Sequence, residues 1–264
     1  MLRLRWSASW VLVGAVLAVG ASCGSTSSTP RPGSEESGAV TVAAASSLTE
    51  AYASIGHDFE RAHPGAKVTF TFDSSATLER QIEQGAPVDV FASADVANMD
   101  KLAAAGLVAG RPVLFAGNRL VIVTKAGNPA RVAGLRDLAD VGVVSLCAAD
   151  APCGTFAAEA LAKADVAIPE RSVTRGQNVK ATLTAVTEGD AVAGIVYASD
   201  ALAAGATVVT VAIPQDQNVV ASYPAAVVEG ARNAETVRAF VAYLTGDEAQ
   251  AVLRKDGFSP RRRR

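Results

Sequence analysis

Residue types that build enzyme active sites are scarce in this sequence of 264 residues. It contains two histidines and three cysteines, and aromatic side chains make up 5% of the chain. No GxGxxG motif and no GxSxG elbow follows a predicted strand, and no Walker-type glycine loop precedes a lysine. His57 falls within a predicted helix and His63 precedes Pro64 at its end, and neither belongs to one of these motifs. We therefore expect no enzymatic activity and no cofactor.

An excess of positive charge is also missing, since 24 basic residues stand against 26 acidic ones. Two of the basic residues lie in the leader described below, and four are the terminal 261–264. Without these six, the body of the chain carries a formal charge of −8. An acidic body argues against nucleic acid as a partner. It also repels anions at long range, so an anion site would have to depend on local hydrogen-bond donors.

Long apolar runs are absent except for one near the start of the chain. The 12 residues 10–21 form an apolar run that is too short for a bilayer span but typical of a signal peptide. The run ends in GASC, which resembles a bacterial lipoprotein cleavage site, although Gly20 stands where leucine is usual. We predict a lipoprotein signal peptide over 1–22 and lipidation of Cys23. Cleavage without lipidation and an uncleaved anchor are the alternatives.

A polar segment follows the predicted cleavage site. Of the 15 residues 24–38, twelve are Gly, Ser, Thr or Pro, which cannot bury a core. We predict a flexible tether over 23–38 that holds the protein at the extracytoplasmic face of the cell membrane. Half of the full chain is apolar, so the remaining residues 39–260 suffice for one large domain or two small ones.

Candidate metal ligands are few in this remaining body. Cys147 and Cys153 are six residues apart, and their spacing fits no zinc site. An exported protein meets an oxidising compartment, so a disulfide between them and a pair of free, partly buried thiols both stay open. Asp89 and Asp95 flank a predicted strand end, where capping and turn hydrogen bonds are the alternative to a metal or acid–base role. We expect no directly bound cation.

Apolar runs and helical patterns alternate along residues 39–260. The runs are short and almost continuously apolar, as buried parallel strands are. We predict strands over 39–45, 67–72, 88–92, 119–124, 141–146, 191–196, 207–212 and 223–228. We predict helices over 48–61, 77–84, 96–105, 155–164, 179–188, 234–244 and 247–255. This alternation indicates an α/β fold.

Four of the predicted strand-to-helix turns share one pattern, in which small or polar residues open the helix. They are AAASSLTEA at 43–51, FDSSATLERQI at 72–82, DAPCGTFAAEAL at 150–161 and GQNVKATLTAV at 176–186. A helix N-terminus presents unpaired N–H groups and a partial positive charge. Four such ends directed at one point would hold an anion without a fully charged side chain.

Five segments, taken in chain order, resemble one protein family. They are AAASSLTEAY, SSATLERQIEQGAPVDVFASAD, AGNRLVIV, AGIVYASDA and YPAAVVEG. Together they resemble the substrate-binding component of a molybdate ABC importer, and the resemblance covers nearly all of residues 40–258. It implies a two-lobed periplasmic-binding-protein fold of type II, with the ligand cleft between the lobes.

The resemblance also implies where the lobes lie in the chain. Lobe I would comprise residues 39–120 plus 221–264, and lobe II would comprise residues 121–220. The chain would cross between them near 118–124 and 212–223, and these two crossings would form the hinge.

Ligand-binding residues follow from the same resemblance. It implies hydroxyl donors from Ser47, Ser75 and Tyr197, and backbone N–H donors from Cys153 and Val179. For each serine taken alone, a plain helix N-cap is the alternative role.

Two positions depart from what the family leads us to expect. The family commonly has a small residue other than cysteine at the Cys153 position, but a backbone donor survives that change. Asp73 precedes the serine pair, where an inward carboxylate would repel an anion, so we expect it to point away.

Donors alone suit molybdate, and by the same argument tungstate, because both are dianions that carry no proton at neutral pH. Phosphate usually carries a proton and would need an acceptor, and sulfate would have to be rejected by cavity size. The implied partners are the permease and ATPase of an ABC importer and the membrane through the lipid anchor, and we expect a monomer. A receptor for another solute, or an enzyme on a related scaffold, would be the alternatives.

Overall fold

The computed structural model describes residues 38–260. The predicted signal peptide, Cys23, nearly all of the predicted tether and the terminal arginines lie outside this range. Among the described residues, no helix is both long enough and apolar enough to cross a membrane.

Strands and helices alternate through most of this range. The strands are β1 Gly38–Ala45, β2 Ala66–Asp73, β3 Val90–Ala92, β4 Val108–Lys125, β5 Val144–Cys147, β6 Val173–Gly176, β7 Ala193–Tyr197, β8 Val208–Ala212, β9 Val220–Val228 and β10 Ser259–Pro260. The helices are α1 Thr49–Ala62, α2 Ser75–Glu83, α3 Val96–Ala104, α4 Pro152–Lys163, α5 Val179–Thr187, α6 Ala198–Ala204, α7 Ala234–Tyr243 and α8 Asp247–Lys255. Every predicted helix and strand overlaps an observed one.

The strands join in one mixed sheet with the order β2-β1-β3-β9-β4-β7-β5-β6, while β8 and β10 also pair with β4. The pairs β1–β2, β1–β3, β5–β6 and β5–β7 are parallel, as the apolar runs predict. Strands β4, β8 and β9 pair antiparallel, which the apolar character of their sequences does not reveal.

Strand β4 changes partners along its length. Val108 to Arg119 pair with β9, whereas Leu120 to Lys125 pair with β7 and β8. We call β1, β2, β3, β9 and the first part of β4 the first sheet half, and β5 to β8 with the rest of β4 the second sheet half. The changeover at Leu120 lies inside the stretch 118–124, where the family resemblance implies one hinge crossing.

Helix α1 illustrates why these sequences pack as they do. Ala51, Tyr52, Ile55 and Phe59 recur at three- and four-residue spacing and are fully buried. Gly56 lies on the same helix, and a Cβ there would come within 2.6 Å of the Phe70 ring of β2. The glycine therefore lets α1 approach the sheet closely.

Four observed elements have no counterpart in the sequence prediction: the first part of β4, the short strands β6 and β10, and helix α6. The first part of β4 contains Gly110, Arg111 and Pro112, and its pairing with β9 is interrupted by register shifts. Helix α6 has seven residues, too few for a clear helical period. Tertiary contacts rather than local pattern stabilise these elements.

Candidate functional site

The four turns singled out in the sequence meet at one small cavity. Its wall includes Ser46 and Ser47 after β1, Ser74 and Ser75 at the start of α2, Pro152 and Cys153 at the start of α4, and Val179 at the start of α5; Ala45, Asp73, Ala94 and Tyr197 complete it. Inside the cavity, the centre of a water-sized sphere can move through a volume of about 10 Å³. No lysine, arginine or histidine is among these lining residues. All five residues that the resemblance implies as ligands are thus brought together.

Ser75 is not the cap of its helix. Ser74 is the N-cap of α2, and its Oγ accepts a hydrogen bond from the Thr77 N–H at 3.2 Å. The Ser75 Oγ instead accepts from the Ala94 N–H at 2.9 Å. Since this bond uses an oxygen lone pair, the Ser75 hydroxyl proton remains available as a donor.

Ser47 is held by a residue far away in the chain. It is 2% exposed and lies in a short 3-10 turn over Ser46–Leu48, and no side chain caps that turn or α1. Its Oγ lies 2.8 Å from the Tyr223 Oη of β9. If Tyr223 donates this bond, the Ser47 proton is directed elsewhere. The N-cap alternative does not describe either predicted ligand serine.

Tyr197 contributes a hydroxyl that lacks a partner. The side chain is 1% exposed, and its Oη makes no hydrogen bond to any of the residues 38–260. Burial raises the pKa of Tyr197 well above its usual value, with smaller contributions from Tyr223, Asp95 and Asp200. The Tyr223 hydroxyl is near enough to affect this pKa, but the two hydroxyls do not meet the distance and angle of a hydrogen bond. The group therefore keeps its proton and is a hydrogen-bond donor at neutral pH. A buried hydroxyl without a partner in a cavity wall can donate to whatever occupies the cavity.

Two helix starts supply backbone donors. Cys153 and Val179 lie in the first turns of α4 and α5, where N–H groups are not used by intrahelical hydrogen bonds. Pro152 precedes Cys153 at the first position of α4, where its missing N–H costs nothing. A Cβ on Gly154 would overlap the Ala148 carbonyl oxygen, so this tight turn requires glycine.

Cys147 and Cys153 form a disulfide, with their Cα atoms 5.7 Å apart. Of the two alternatives that the sequence leaves open, the structure has the bridge. It ties the end of β5 to the first turn of α4, beside the N–H group of Cys153.

We expected Asp73 to point away from the site, and this prediction is wrong. It contributes to the cavity wall, and its Oδ1 accepts hydrogen bonds from the Ser74 N–H at 2.7 Å and the Asn178 Nδ2 at 2.9 Å. These two donors offset part of the carboxylate charge. The contact with Asn178 also joins the two sheet halves beside the cavity.

The other two aspartates singled out in the sequence have structural roles. Asp95 caps α3 by accepting from the Asn98 N–H at 3.1 Å. Asp89 accepts from the N–H groups of Thr41 at 2.8 Å and Arg232 at 3.0 Å. Among residues 38–260, no group of three or more His, Cys, Asp or Glu side chains is placed to hold a metal ion.

Comparison with protein families identifies the class of binding protein. A sequence model described as bacterial extracellular solute-binding protein matches residues 40–259. The chain belongs to this family. The family is one of binding proteins rather than enzymes, and its description confirms the extracytoplasmic part of the predicted location.

Individual relatives of this solute-binding protein point the same way. The present chain is 40% identical over 261 residues to a Mycobacterium tuberculosis protein named molybdate-binding protein ModA, and the match covers 97% of this chain and 99% of that one. An Azotobacter vinelandii periplasmic molybdate-binding protein has a similar structure, with TM-score 0.74 at 19% identity over 84% of this chain and 100% of that one. The M. tuberculosis sulfate-binding protein SubI has TM-score 0.75 at 20% identity over 84% and 86%. The two structures show the fold alone, and they confirm the predicted periplasmic-binding-protein fold of type II.

No role is predicted for Tyr223 from the sequence, although the residue lies in the segment YPAAVVEG, which carries part of the family resemblance. It is fully buried and contacts Ser47 across 176 residues of chain. The sequence signal for this role is the tyrosine itself, because it is an amphipathic residue inside an apolar strand. In this solute-binding protein Tyr223 orients a cavity residue.

Proposed function

We propose that this solute-binding protein captures molybdate outside the cytoplasm and delivers it to an ABC importer. The observation that carries the proposal is the small cavity, which is lined by neutral donors from four helix starts and by the unpaired Tyr197 hydroxyl. A cavity this small suits one compact anion rather than a sugar or an amino acid. An amino acid would also call for an arginine to pair with its carboxylate, and the lining contains none.

Five donors form the proposed ligand set. The hydroxyls are those of Ser47, Ser75 and Tyr197, and the backbone N–H groups are those of Cys153 and Val179. Hydrogen bonds to a charged acceptor contribute about 1.5–3 kcal/mol each. Five of them suffice for tight binding after the cost of ordering the ligand and the cleft is subtracted.

Full deprotonation of the ligand is the chemical basis of selectivity. Every proposed contact is a donor, so a dianion without protons satisfies all of them. Protonated phosphate would place its own O–H against these donors and lose hydrogen bonds. The Asp73 carboxylate in the wall could accept that proton, but its Oδ1 is already bonded to Ser74 and Asn178, so we expect phosphate to bind more weakly than molybdate. Sulfate has the same charge and shape as molybdate, so a cavity of fixed size has to exclude it by its shorter bonds. Tungstate matches molybdate in size and should bind equally well.

A sulfate receptor is the second candidate, because a sulfate-binding protein shares this fold. Thermal unfolding with molybdate, tungstate, sulfate or phosphate, each at the same concentration, separates the candidates. A ligand that binds only the folded state stabilises it by an amount that grows with the logarithm of its concentration over its Kd, and so raises Tm. We expect a large rise with molybdate and tungstate, and little or none with sulfate and phosphate. An equal rise with sulfate would contradict the size argument, and no rise with molybdate would contradict the proposed function.

We further propose that the two sheet halves are lobes with the predicted boundaries, residues 39–120 plus 221–264 and residues 121–220. The change of partners along β4 at Leu120 supports this division. Strand β9 begins at Val220, close to the predicted return crossing. Ligand donors come from both halves, so ligand binding favours their closure.

The attachment of the protein to the membrane belongs to the proposal as well. A lipid on Cys23 would hold a monomer at the outer face of the membrane, close to the permease and ATPase of the importer. Fractionation of cells that express Cys23→Ser tests this attachment. We expect the variant to leave the membrane fraction, whereas an unchanged distribution would contradict lipidation.

A further inference from the structure

Three polar contacts connect the first sheet half to the second around the cavity. The Lys180 Nζ lies 2.7 Å from both carboxylate oxygens of Glu50, and the Arg80 Nη1 lies 2.9 Å from the Asp150 Oδ2. The third contact is the bond from Asn178 to Asp73 described above. We propose that the pairs Glu50–Lys180 and Arg80–Asp150 form a latch, which positions the donors of the two halves against each other and slows escape of the ligand.

The two ion pairs lie next to the proposed donors in the chain. Glu50 follows Ser47 by three residues, and Lys180 directly follows Val179. A short stretch of chain therefore joins Glu50 to Ser47 and Lys180 to Val179, and both Ser47 and Val179 face the cavity. The pair brings the start of α1 to the start of α5, and α5 packs against the 3-10 turn that holds Ser47.

The second pair has the same arrangement on the other side of the cavity. Arg80 lies on α2, the helix that begins with Ser75, and Asp150 precedes Cys153 by three residues. The first pair thus connects the chain beside Ser47 to the chain beside Val179. The second connects the helix of Ser75 to the chain beside Cys153. Neither ion pair lines the cavity, so neither is a ligand.

Lys180 is prepared for its contact by a partner in its own half. Its Nζ lies 3.1 Å from the Asp200 Oδ1, and the Asp200 side chain is fully buried. If the halves part, Lys180 keeps Asp200 and loses Glu50. Because Lys180 is already ordered and its side chain is 27% exposed, closing onto Glu50 costs little entropy. The side chains of Arg80 and Asp150 are 50% and 60% exposed, so their pair should contribute less.

The latch acts on the ligand through the closed state alone. In an open protein the separated charges are solvated, whereas in the closed protein they pair. The apparent affinity depends on the population of the closed state, and a ligand held by donors of both halves loses the donors of one half when the halves part. Loss of a latch pair should therefore appear in the rate of release.

Release of radiolabelled molybdate, chased with excess unlabelled molybdate, tests the inference, which rests on the proposed function. We expect Glu50→Gln to release molybdate about two- to fivefold faster, the range given by the measured strength of exposed ion pairs, and Arg80→Gln somewhat less. Asp58→Asn is the matched control, because Asp58 pairs with Arg61 at 2.9 Å and both residues lie on α1. Its release rate should equal that of the unmodified protein.

A charge exchange separates positioning from general destabilisation. Arg80→Glu and Asp150→Lys should each speed release, and the double variant should restore the slow rate with an unchanged Tm of the ligand-free protein. Higher salt should speed release from the unmodified protein more than from Glu50→Gln. If the unmodified protein binds molybdate but Glu50→Gln releases it at the same rate, or the exchange gives no recovery, the latch is overturned while the function stands. If molybdate does not bind at all, both are overturned.

Discussion

At the scale of single residues, the Tyr197 hydroxyl offers the sharpest test of the site. It is buried and keeps its proton. By hydrogen-bond distance and angle it has no partner among residues 38–260. Tyr197→Phe removes this donor and almost no volume. We expect molybdate affinity to fall by about 10–150-fold, the equivalent of one hydrogen bond to a charged acceptor. Titration calorimetry measures this change, and an unchanged Kd would remove Tyr197 from the ligand set.

Asp200 gives the protein a distinctive dependence on pH. Burial raises the pKa of its carboxyl from 3.8 to about 6, although the neighbouring Lys180 opposes the rise. Between these two values the folded chain holds a proton that the unfolded chain has lost. The contribution of Asp200 to the free energy of unfolding is therefore largest in acid and declines as the pH rises to about 6. The decline is about 3 kcal/mol at the limit set by the two pKa values.

Asp200→Asn removes this titration. Measured by urea unfolding, the free energy of unfolding of the variant should rise relative to the unmodified protein by up to about 3 kcal/mol from about pH 4 to about pH 7. Asp216→Asn, the same substitution at an exposed position, serves as the control. If the free energy of unfolding varies with pH in the same way for Asp200→Asn and the unmodified protein, burial does not raise the pKa of this carboxyl.

At the scale of elements, the start of α2 separates a helix cap from a ligand. Ser74 caps the helix, whereas Ser75 is bonded to Ala94. We expect Ser74→Ala to lower the free energy of unfolding by about 1 kcal/mol with little change in molybdate Kd. Ser75→Ala should weaken binding by about tenfold or more. The opposite ranking in calorimetry and unfolding would reverse the two roles.

The disulfide acts at the same scale, because it braces the first turn of α4. The proposed ligand group of Cys153 is its backbone N–H, not its sulfur. Since the bridge closes a short loop, it should contribute less than the ~3 kcal/mol of a 15-residue loop. We expect Cys153→Ser to lower Tm modestly and to keep molybdate affinity within about tenfold. Loss of binding with the fold intact would make the bridge essential to the site.

At the scale of the whole molecule, closure of the two halves is the expected response to ligand. Contacts from both halves favour the closed state only when the ligand is present. Small-angle scattering should therefore give a smaller radius of gyration with molybdate than without it. Sulfate at the same concentration is the control and should leave the radius unchanged. An equal radius with and without molybdate would indicate a preformed site.

The sequence alone determined the features that depend on short stretches of chain. Apolar periodicity located the main strands and helices, and small residues at four turns marked the helix starts that line the cavity. These patterns are local, because hydrogen bonding within a helix and alternation within a strand are repeated every few residues. The five proposed ligand residues came from a family resemblance, and all five lie in one cavity wall.

Tertiary structure decided what depends on residues far apart in the chain. It placed Tyr223 against Ser47 and Asn178 against Asp73, and it brought Lys180 between Glu50 and a buried Asp200. No local pattern predicts such contacts, because they arise only when separate elements pack together and their polar groups have to find partners. For the same reason only the second part of β4 was predicted from the sequence. The first part forms a strand because it pairs with β9.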